Sequence, residues 1–256
     1  MPSWDPQQYR RFEQERALPC RDLIGRIGGL SPLRIVDLGC GTGTSTRLLR
    51  ERWPAAQILG VDSSPEMIAE ARSSGVVAEW SLADIRTWSP DRPVDLVFSN
   101  AALQWVGAHD RIFPRLLEHV ATGGALAVQM PFNWESPAYR CLRGVVESPT
   151  WSSRWGRDLV TIHDFPPAFY YDLLSSACRQ VDLWETEYIH VLPDPDAIVE
   201  WMKGTGMRPY LDSLGSESGR TAFLREISSG VAASYPPQSD GRVLFAFRRL
   251  FLVAYR

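Results

Sequence analysis

The sequence predicts an α/β fold with a mostly parallel sheet, and two patterns carry this prediction. Short apolar segments alternate with helix-like segments over residues 33–130, as in parallel strands joined by right-handed crossover helices. The last apolar segment, residues 243–255, follows Asp240-Gly241, which signals a hairpin and an antiparallel closing partner for the segment at 181–191. We therefore expect three layers around seven strands, of which only the last is antiparallel.

Each element follows from its local pattern. Strands are predicted where short apolar runs occur and helices where apolar residues recur at helical spacing. The predicted strands span residues 33–38, 57–62, 76–82, 94–99, 124–130, 181–191 and 243–255. The predicted helices span residues 4–27, 44–53, 64 onward, 110–120, 167–178, 194–202 and about 216–235. Ser64 and Asp194 are the expected N-caps of two of these helices.

The regular alternation fails between residues 131 and 166, where tryptophans and prolines are interspersed. We interpret this stretch as an inserted, partly helical cap, and residues 193–240 as a second insertion. The prediction is then a single domain over residues 1–256 that carries two cap insertions.

Composition excludes several classes of protein. The 256 residues are 45% hydrophobic and 22% charged, as in ordinary globular chains. The formal net charge of −3 argues against a surface that coats nucleic acid. Neither a membrane-spanning run nor a basic, apolar leader is visible, so we expect no membrane partner and a cytoplasmic location. The four cysteines lack metal-ligand spacing, so we expect reduced thiols and no bound metal.

A glycine-rich loop follows the first predicted strand. Gly39, Gly41 and Gly43 alternate after Asp37, at the strand end where α/β sheets bind ligands, and glycines let a ligand approach the backbone. The spacing G-x-G-x-G differs from the dinucleotide fingerprint, and the loop lacks the lysine of a P-loop. An acid before such a loop suits a zwitterionic amino-acid tail, with the acid near the ammonium and backbone amides near the carboxylate. A tight turn without a ligand is the alternative.

Two further acids end the next two strands. Asp62 lies where an acid binds two ribose hydroxyls, although it could equally be a charge at a helix N-terminus. Asp84 is placed to accept from the exocyclic amine of adenine, with Ile85 packing on the ring, although aspartate is also a common loop residue.

The glycine loop and the three strand-end acids together resemble class I methyltransferases that use S-adenosylmethionine. Longer blocks resemble the trans-aconitate 2-methyltransferase family within that superfamily. These blocks are Ser-Trp-Asp-Pro-Gln-Gln-Tyr at 3–9, Asp-Ser-Ser-Pro-Glu-Met-Ile-Ala-Glu-Ala-Arg at 62–72, Ala-Asp-Ile-Arg-Thr-Trp at 83–88, Asn-Ala-Ala-Leu-Gln-Trp at 100–105, Ala-Val-Gln-Met-Pro-Phe-Asn-Trp at 127–134, Gly-Thr-Gly-Met-Arg-Pro-Tyr at 204–210 and Leu-Phe-Ala-Phe-Arg-Arg-Leu-Phe at 244–251. Residues 142–166 are the stretch that does not match.

The resemblance implies a Rossmann-like methyltransferase sheet with a helical cap, S-adenosyl-L-methionine as the cofactor and trans-aconitate as the acceptor, which is converted to a monomethyl ester. The residues it implies for the cofactor are Tyr9, Asp37, Gly39, Gly41, Gly43, Asp62, Ser63, Met67, Asp84, Ile85 and Asn100. A methyltransferase for another small carboxylate or hydroxyl acceptor, or a non-catalytic binding protein, are the alternatives.

A tricarboxylate acceptor calls for arginines and aromatic donors. The candidates are Arg16, Trp105, Trp134, Arg208, Tyr210 and Arg248. Core packing is the alternative role for each tryptophan, and at most one of Arg248 and Arg249 can enter the site, because adjacent strand residues point to opposite faces. A carboxylate is already ionised at neutral pH, so no general base is expected. His163 and His190 would matter only for a hydroxyl or nitrogen acceptor.

Overall fold

The computed structural model describes residues 13–27, 29–156 and 162–256, with side chains from residue 17 onward. The strands are β1 (Arg34–Leu38), β2 (Gln57–Asp62), β3 (Glu79–Leu82), β4 (Val94–Asn100), β5 (Val120–Pro131), β6 (Gln180–Leu192) and β7 (Val243–Tyr255). The α-helices are α1 (Glu13–Arg26), α2 (Thr44–Arg52), α3 (Pro65–Ser73), α4 (His109–Glu118), α5 (Pro137–Val146), α6 (Pro167–Leu174), α7 (Pro195–Lys203), α8 (Arg208–Ser213) and α9 (Glu217–Ser234). Single 3-10 turns occur at Leu103–Trp105, Ser152–Arg154 and Ser175–Ala177.

The seven strands form one sheet in the order β3-β2-β1-β4-β5-β7-β6. The pairs β2–β3, β1–β2, β1–β4 and β4–β5 are parallel, and β7 is antiparallel to β5. This arrangement confirms the predicted fold class. The chain order reverses between β1 and β4, which is the point where open α/β sheets form a ligand crevice at the carboxyl ends of their strands.

The central strands are buried along nearly their whole length. Leu96, Val97 and Phe98 of β4 are fully buried, as are Ala125 and Leu126 of β5. Such continuous apolar runs are typical of strands that are covered on both faces. They hold the strand ends, and the loops that follow them, on a rigid base.

Local signals located the starts of α3 and α7 correctly, two other predictions are wrong, and the predicted start of the first helix at residue 4 lies outside the described residues. The Ser64 and Asp194 side chains cap α3 and α7, as expected. β3 begins at Glu79 instead of residue 76, because the carbonyl of the exposed Val77 accepts from Arg50 Nε at 2.9 Å instead of joining the sheet. The hairpin prediction at Asp240-Gly241 also fails, since this turn connects α9, not a strand, to β7.

The chain divides into two compact units. The sheet unit contains residues 13–131, 163–186 and 249–256, and the helical unit contains residues 132–162 and 187–248 apart from those not described. The helical unit has its own core, which includes Tyr139, Trp151, Trp201, Phe223 and Phe245. It also contains α8, a short helix that the sequence analysis did not separate. The prediction of a single domain with two cap insertions stays a prediction.

Within the described ranges, no helix combines the length and the apolar character needed to cross a membrane.

Candidate active site

The glycine loop between β1 and α2 adopts left-handed backbone conformations. Gly39, Gly41 and Gly43 have φ angles of +71°, +55° and +90°, a left-handed region that favours glycine. A Cβ at Gly39 would lie 2.1 Å from the Cβ of Ala102, whereas a Cβ at Gly41 would meet no protein atom within 4 Å. Gly39 therefore serves packing, and Gly41 leaves open space that a ligand can approach.

The N–H groups of the three loop glycines donate hydrogen bonds within the protein. The N–H of Gly39 donates to the carbonyl of Val61 at 2.7 Å, and that of Gly43 donates to the carbonyl of Cys40 at 3.0 Å. The N–H of Gly41 donates to Asp62 Oδ2 at 2.9 Å. Because these three donors already satisfy acceptors of the protein, the expectation that loop amides bind a ligand carboxylate stays a prediction.

Asp37 is fully buried at the end of β1. Its Oδ2 accepts from the hydroxyls of Ser45 and Thr46, both at 2.6 Å, whereas its Oδ1 has no partner among the described residues. Burial, and to a smaller extent the charge of Asp62, raises the pKa of Asp37 to about 6. A buried carboxylate oxygen without a partner is costly, and a cationic ligand group would satisfy it.

Asp62 connects the end of β2 to the glycine loop and to α3. Besides the bond from Gly41, its Oδ1 accepts from the N–H of Ser64 at 2.9 Å. Burial raises the pKa of Asp62, and the backbone donors around it oppose that shift. The two oxygens have about four acceptor sites between them, and the backbone donors are those of Gly41, Ser63 and Ser64, so capacity for a hydroxyl of a ligand remains. Nearby, Ser63 is exposed and Met67 is buried on α3.

Asp84 follows β3 and is paired within the protein. The Nε of Arg86 lies 3.0 Å from each oxygen of Asp84, and this bond to Arg86 lowers the pKa of Asp84. Ile85 is buried, and its Cδ1 lies 3.7 Å from the position that a Cβ of Gly39 would occupy. Arg115 fixes the segment by donating to the carbonyls of Ile85 and Trp88. The third acid therefore lies on a segment that packs beside the glycine loop.

β4 ends in a strained turn. Asn100 Oδ1 is buried and has no partner in the part of the chain that the structure describes. Ala101, the next residue, has a φ of +56°, which is uncommon for a residue other than glycine. Its N–H donates to the carbonyl of Gln129 at 2.9 Å. Such strain persists only where the surrounding structure enforces it, and it often marks functional sites.

Comparison with known proteins decides the family. Residues 35–124 match the profile of a family described as a methyltransferase domain. A protein of Azoarcus sp. (strain BH72) named trans-aconitate 2-methyltransferase is 48% identical over 260 aligned residues, which cover 100% of both chains. This chain belongs to the trans-aconitate 2-methyltransferase family.

Solved structures share the fold of this member of the trans-aconitate 2-methyltransferase family at much lower sequence identity. The YcgJ protein from Bacillus subtilis aligns with a TM-score of 0.59 at 14% identity, covering 93% of this chain and 98% of that one. The Haemonchus contortus phosphoethanolamine N-methyltransferase 2, solved in complex with S-adenosyl-L-methionine, aligns with a TM-score of 0.56 at 15% identity, covering 93% and 52%. At these identities the likeness supports the fold alone.

The aromatic candidates for the acceptor of this family lie in different surroundings. Trp105 is half-buried in the 3-10 turn that follows β4. Trp134 packs in the helical unit with its ring centroid 5.4 Å from that of Tyr139. Tyr210 is buried in the same unit, edge-to-face with Trp155 at 5.2 Å, and burial raises its pKa. Tyr210 thus contributes to the core of the helical unit.

The arginine candidates also differ in exposure. Arg208 Nε lies 3.0 Å from Asp212 Oδ1 on α8. Arg248 is exposed, whereas Arg249 is only 4% exposed, so the structure distinguishes the two neighbours by burial. The side chain of Arg16 in α1 and the whole of Tyr9 lie outside the described atoms. The binding roles of all these residues stay predictions.

The two candidate bases have packing contacts. The His163 ring centroid lies 6.3 Å from that of His109, and the His190 ring centroid lies 4.8 Å from that of Trp201. Where the structure is described, no group of three histidine, cysteine, aspartate or glutamate residues could hold a metal ion.

Sequence reasoning missed some residues of the site. Ser45 and Thr46 orient Asp37, and the signal for them was the hydroxyl-rich start of the helix after the glycine loop.

Proposed function

We propose that this protein transfers a methyl group from S-adenosylmethionine to a carboxylate of trans-aconitate. The name of the Azoarcus relative, which matches along the full chain, supports the acceptor. The structural observation that carries the proposal is the buried, partnerless Oδ1 of Asp37, directly before a glycine loop that leaves open space at Gly41. An unsatisfied carboxylate oxygen at the start of such a loop suits a ligand that carries a positive charge.

The residues of the sheet unit fit this cofactor. Asp37 Oδ1 would accept from the ammonium of the cofactor's amino-acid tail, and Asp62 would accept from the ribose with its remaining acceptor capacity. Asp84 would accept from the adenine amine, with Ile85 against the ring. The other proposed cofactor residues are Tyr9, Gly39, Gly41, Gly43, Ser63, Met67 and Asn100.

The cofactor supplies an electrophilic methyl group on a sulfonium, and the chain itself has to bind and orient the acceptor. A carboxylate with an ordinary pKa is ionised at neutral pH, so no side chain has to remove a proton. Catalysis then depends on holding the acceptor oxygen in line at about 3 Å, a positioning effect of large magnitude. The proposed acceptor ligands are Arg16, Trp105, Trp134, Arg208, Tyr210 and Arg248, because guanidinium groups and aromatic donors bind carboxylates.

The direct test is a transfer assay with purified protein and methyl-labelled S-adenosylmethionine. We expect base-labile label on trans-aconitate, because a carboxylate methyl ester is hydrolysed by base. A panel of other small carboxylates and hydroxyl compounds runs in parallel. Label that appears only on another compound, or cofactor binding without transfer to any compound, would contradict the proposal.

A matched pair of variants tests the cofactor site. Gly41→Ala and Gly75→Ala both place a Cβ at a left-handed residue, with φ of +55° and +75°, and neither Cβ meets a protein atom within 4 Å. Both should therefore lose about 1–2 kcal/mol of unfolding free energy to backbone strain, as measured by urea denaturation. Only Gly41→Ala should weaken cofactor binding, by roughly tenfold or more in calorimetry, since its Cβ occupies the proposed approach. Equal cofactor affinity in the two variants would remove Gly41 from the site.

A further inference from the structure

Gln129 is a buried amide without partners. It is 0% exposed on β5, and neither its Oε1 nor its Nε2 has a hydrogen-bond partner among the residues that the structure describes. Its strand neighbours Val128 and Met130 are apolar and buried. Because buried polar groups are nearly always hydrogen-bonded, an amide with both atoms unsatisfied needs an explanation, and a bound ligand would supply the missing partners.

Other unsatisfied amide atoms occur close to Gln129. In the sheet register Gln129 lies opposite Asn100 of β4, and laterally paired residues of neighbouring strands point to the same face. Asn100 Oδ1 is likewise without a partner, as is Oε1 of Gln104, whose Nε2 donates to the carbonyl of Ala101 at 2.7 Å. The carboxyl ends of β4 and β5 thus carry two amides with unsatisfied atoms, and the 3-10 turn after β4 carries a third.

A buried positive charge lies on the same face of the sheet. Gln129 pairs with Phe251 of β7, and Arg249 pairs with Pro131, two residues further along. Residues two apart on a strand share a face, so Arg249 projects on the side of Gln129, whereas Arg248 projects on the opposite side. Arg249 is only 4% exposed. A guanidinium and an amide on one face form a donor set that suits a carboxylate.

The strand order indicates which ligand approaches Gln129. Asp84 follows β3, Asp62 ends β2 and the glycine loop follows β1, and the sheet continues through β4 to β5. With strands about 4.8 Å apart, β5 lies roughly 10 Å from β1, on the side away from Asp62 and Asp84. A cofactor whose adenosyl end lies at β2 and β3 leaves the β5 side for the molecule that receives the methyl group.

We propose that Gln129, with Arg249 beside it, is a binding site for a carboxylate of the acceptor. The Nε2 hydrogens of Gln129 donate to a carboxylate oxygen, and the Arg249 guanidinium provides the opposite charge. This inference rests on the proposed function, since it names residues that select the acceptor of that reaction.

The test uses Gln129→Met, which replaces the amide by an apolar side chain of similar length. We expect the KM for trans-aconitate to rise roughly 10- to 100-fold, the range for a hydrogen bond to a charged group. Cofactor affinity should stay within about twofold, and the melting temperature should not fall, because removing an unsatisfied buried amide is neutral or stabilising. If Gln129 had only a structural role, its substitution would not raise the KM for trans-aconitate while leaving the cofactor affinity unchanged.

Ser99→Ala is the matched control on the opposite face of β4. The Ser99 hydroxyl is buried and satisfied, since it donates to the carbonyl of Leu38 at 2.9 Å. This variant should lose stability and keep the KM for trans-aconitate.

Two results would overturn the inference while the proposed function stands. One is an unchanged KM for trans-aconitate in Gln129→Met, and the other is an equal loss of affinity for cofactor and acceptor. If the wild-type protein does not methylate trans-aconitate, the proposed function fails instead. The inference is then tested by thermal shift: the protein loaded with S-adenosylhomocysteine is mixed with each carboxylate of the panel, and the change in melting temperature is measured. A carboxylate that stabilises the wild type but not Gln129→Met supports the inference. If a carboxylate stabilises both proteins equally, or none stabilises the wild type, the inference is overturned.

Discussion

Asp37 holds a negative charge in a place where water cannot solvate it. The two hydroxyls of Ser45 and Thr46 satisfy one carboxylate oxygen at 2.6 Å, and burial raises the pKa of the group to about 6. The proposed ammonium of the cofactor would replace the missing solvation at Oδ1. Ionisation of Asp37 and binding of the cofactor are then linked, because an opposite charge nearby favours the ionised form.

This linkage predicts a pH-dependent affinity for the cofactor. With a pKa of about 6, Asp37 is mostly ionised at pH 7 and mostly protonated at pH 5, where about one molecule in eleven keeps the charge. The dissociation constant of S-adenosylhomocysteine, measured by calorimetry, should therefore rise about tenfold from pH 7 to pH 5.

Asp37→Asn is the control for this titration. The amide keeps an acceptor for Ser45 and Thr46 but cannot ionise, so the variant should bind weakly and with an affinity that is nearly constant between pH 5 and pH 7. A variant that shows the same pH dependence as the wild type would assign the titration to another group.

Single residues also mark the limit of sequence-based prediction. The glycine loop and the strand-end acids were predictable, because glycine spacing and strand ends are local features. The partnerless state of Gln129 was not, since it depends on what packs around β5. The use of the Gly39, Gly41 and Gly43 amides within the protein depends likewise on Val61, Asp62 and Cys40.

The turn after β4 is held by a buried hydrogen-bond network between elements. His109 at the start of α4 is 0% exposed. Its Nε2 lies 3.0 Å from the carbonyl of Leu103 and its Nδ1 lies 2.8 Å from the hydroxyl of Tyr170 on α6. Because a carbonyl only accepts, Nε2 carries the hydrogen and Nδ1 accepts from Tyr170. The network therefore fixes the segment that carries Trp105.

Tyr170→Phe tests this network. The substitution leaves His109 Nδ1 buried without a donor, which should lower the unfolding free energy by about 1–3 kcal/mol in urea denaturation. Tyr171→Phe removes a hydroxyl from the neighbouring residue, which is 51% exposed, and it should change stability by less than about 0.5 kcal/mol. Equal effects of the two substitutions would contradict the proposed network.

The network also has a pH signature. Burial lowers the pKa of His109, so the unfolded chain binds this proton more readily than the folded protein. The stability that depends on neutral His109 is then lost as the pH falls below the usual histidine value of about 6.5. An element-level contact of this kind, between residues 61 positions apart, leaves no local signal in the sequence.

At the scale of the whole molecule, the order of segments was the most predictive feature. Alternating strands and helices predicted the parallel sheet, and the closing strand was correctly predicted to be antiparallel although its hairpin signal was wrong. The beginning of β3 and the burial of Tyr210 depended instead on side chains distant in sequence, Arg50 and Trp155. Local chemistry thus predicted the fold and the strand-end acids, whereas the partners of individual polar groups required the folded structure.

The described residues proposed for the cofactor, from Asp37 to Asn100, all belong to the sheet unit. A ligand that binds only the folded state at 100 times its dissociation constant raises the unfolding free energy by about 2.7 kcal/mol. Amide hydrogens of β1 and β4 that exchange only through unfolding of this unit should then exchange about 100-fold more slowly with S-adenosylhomocysteine. Gly41→Ala at the same ligand concentration should show much less slowing, because its cofactor site is obstructed. Unchanged exchange of β1 and β4 in the wild type, at a concentration where calorimetry detects binding, would mean that the cofactor is bound by another part of the protein.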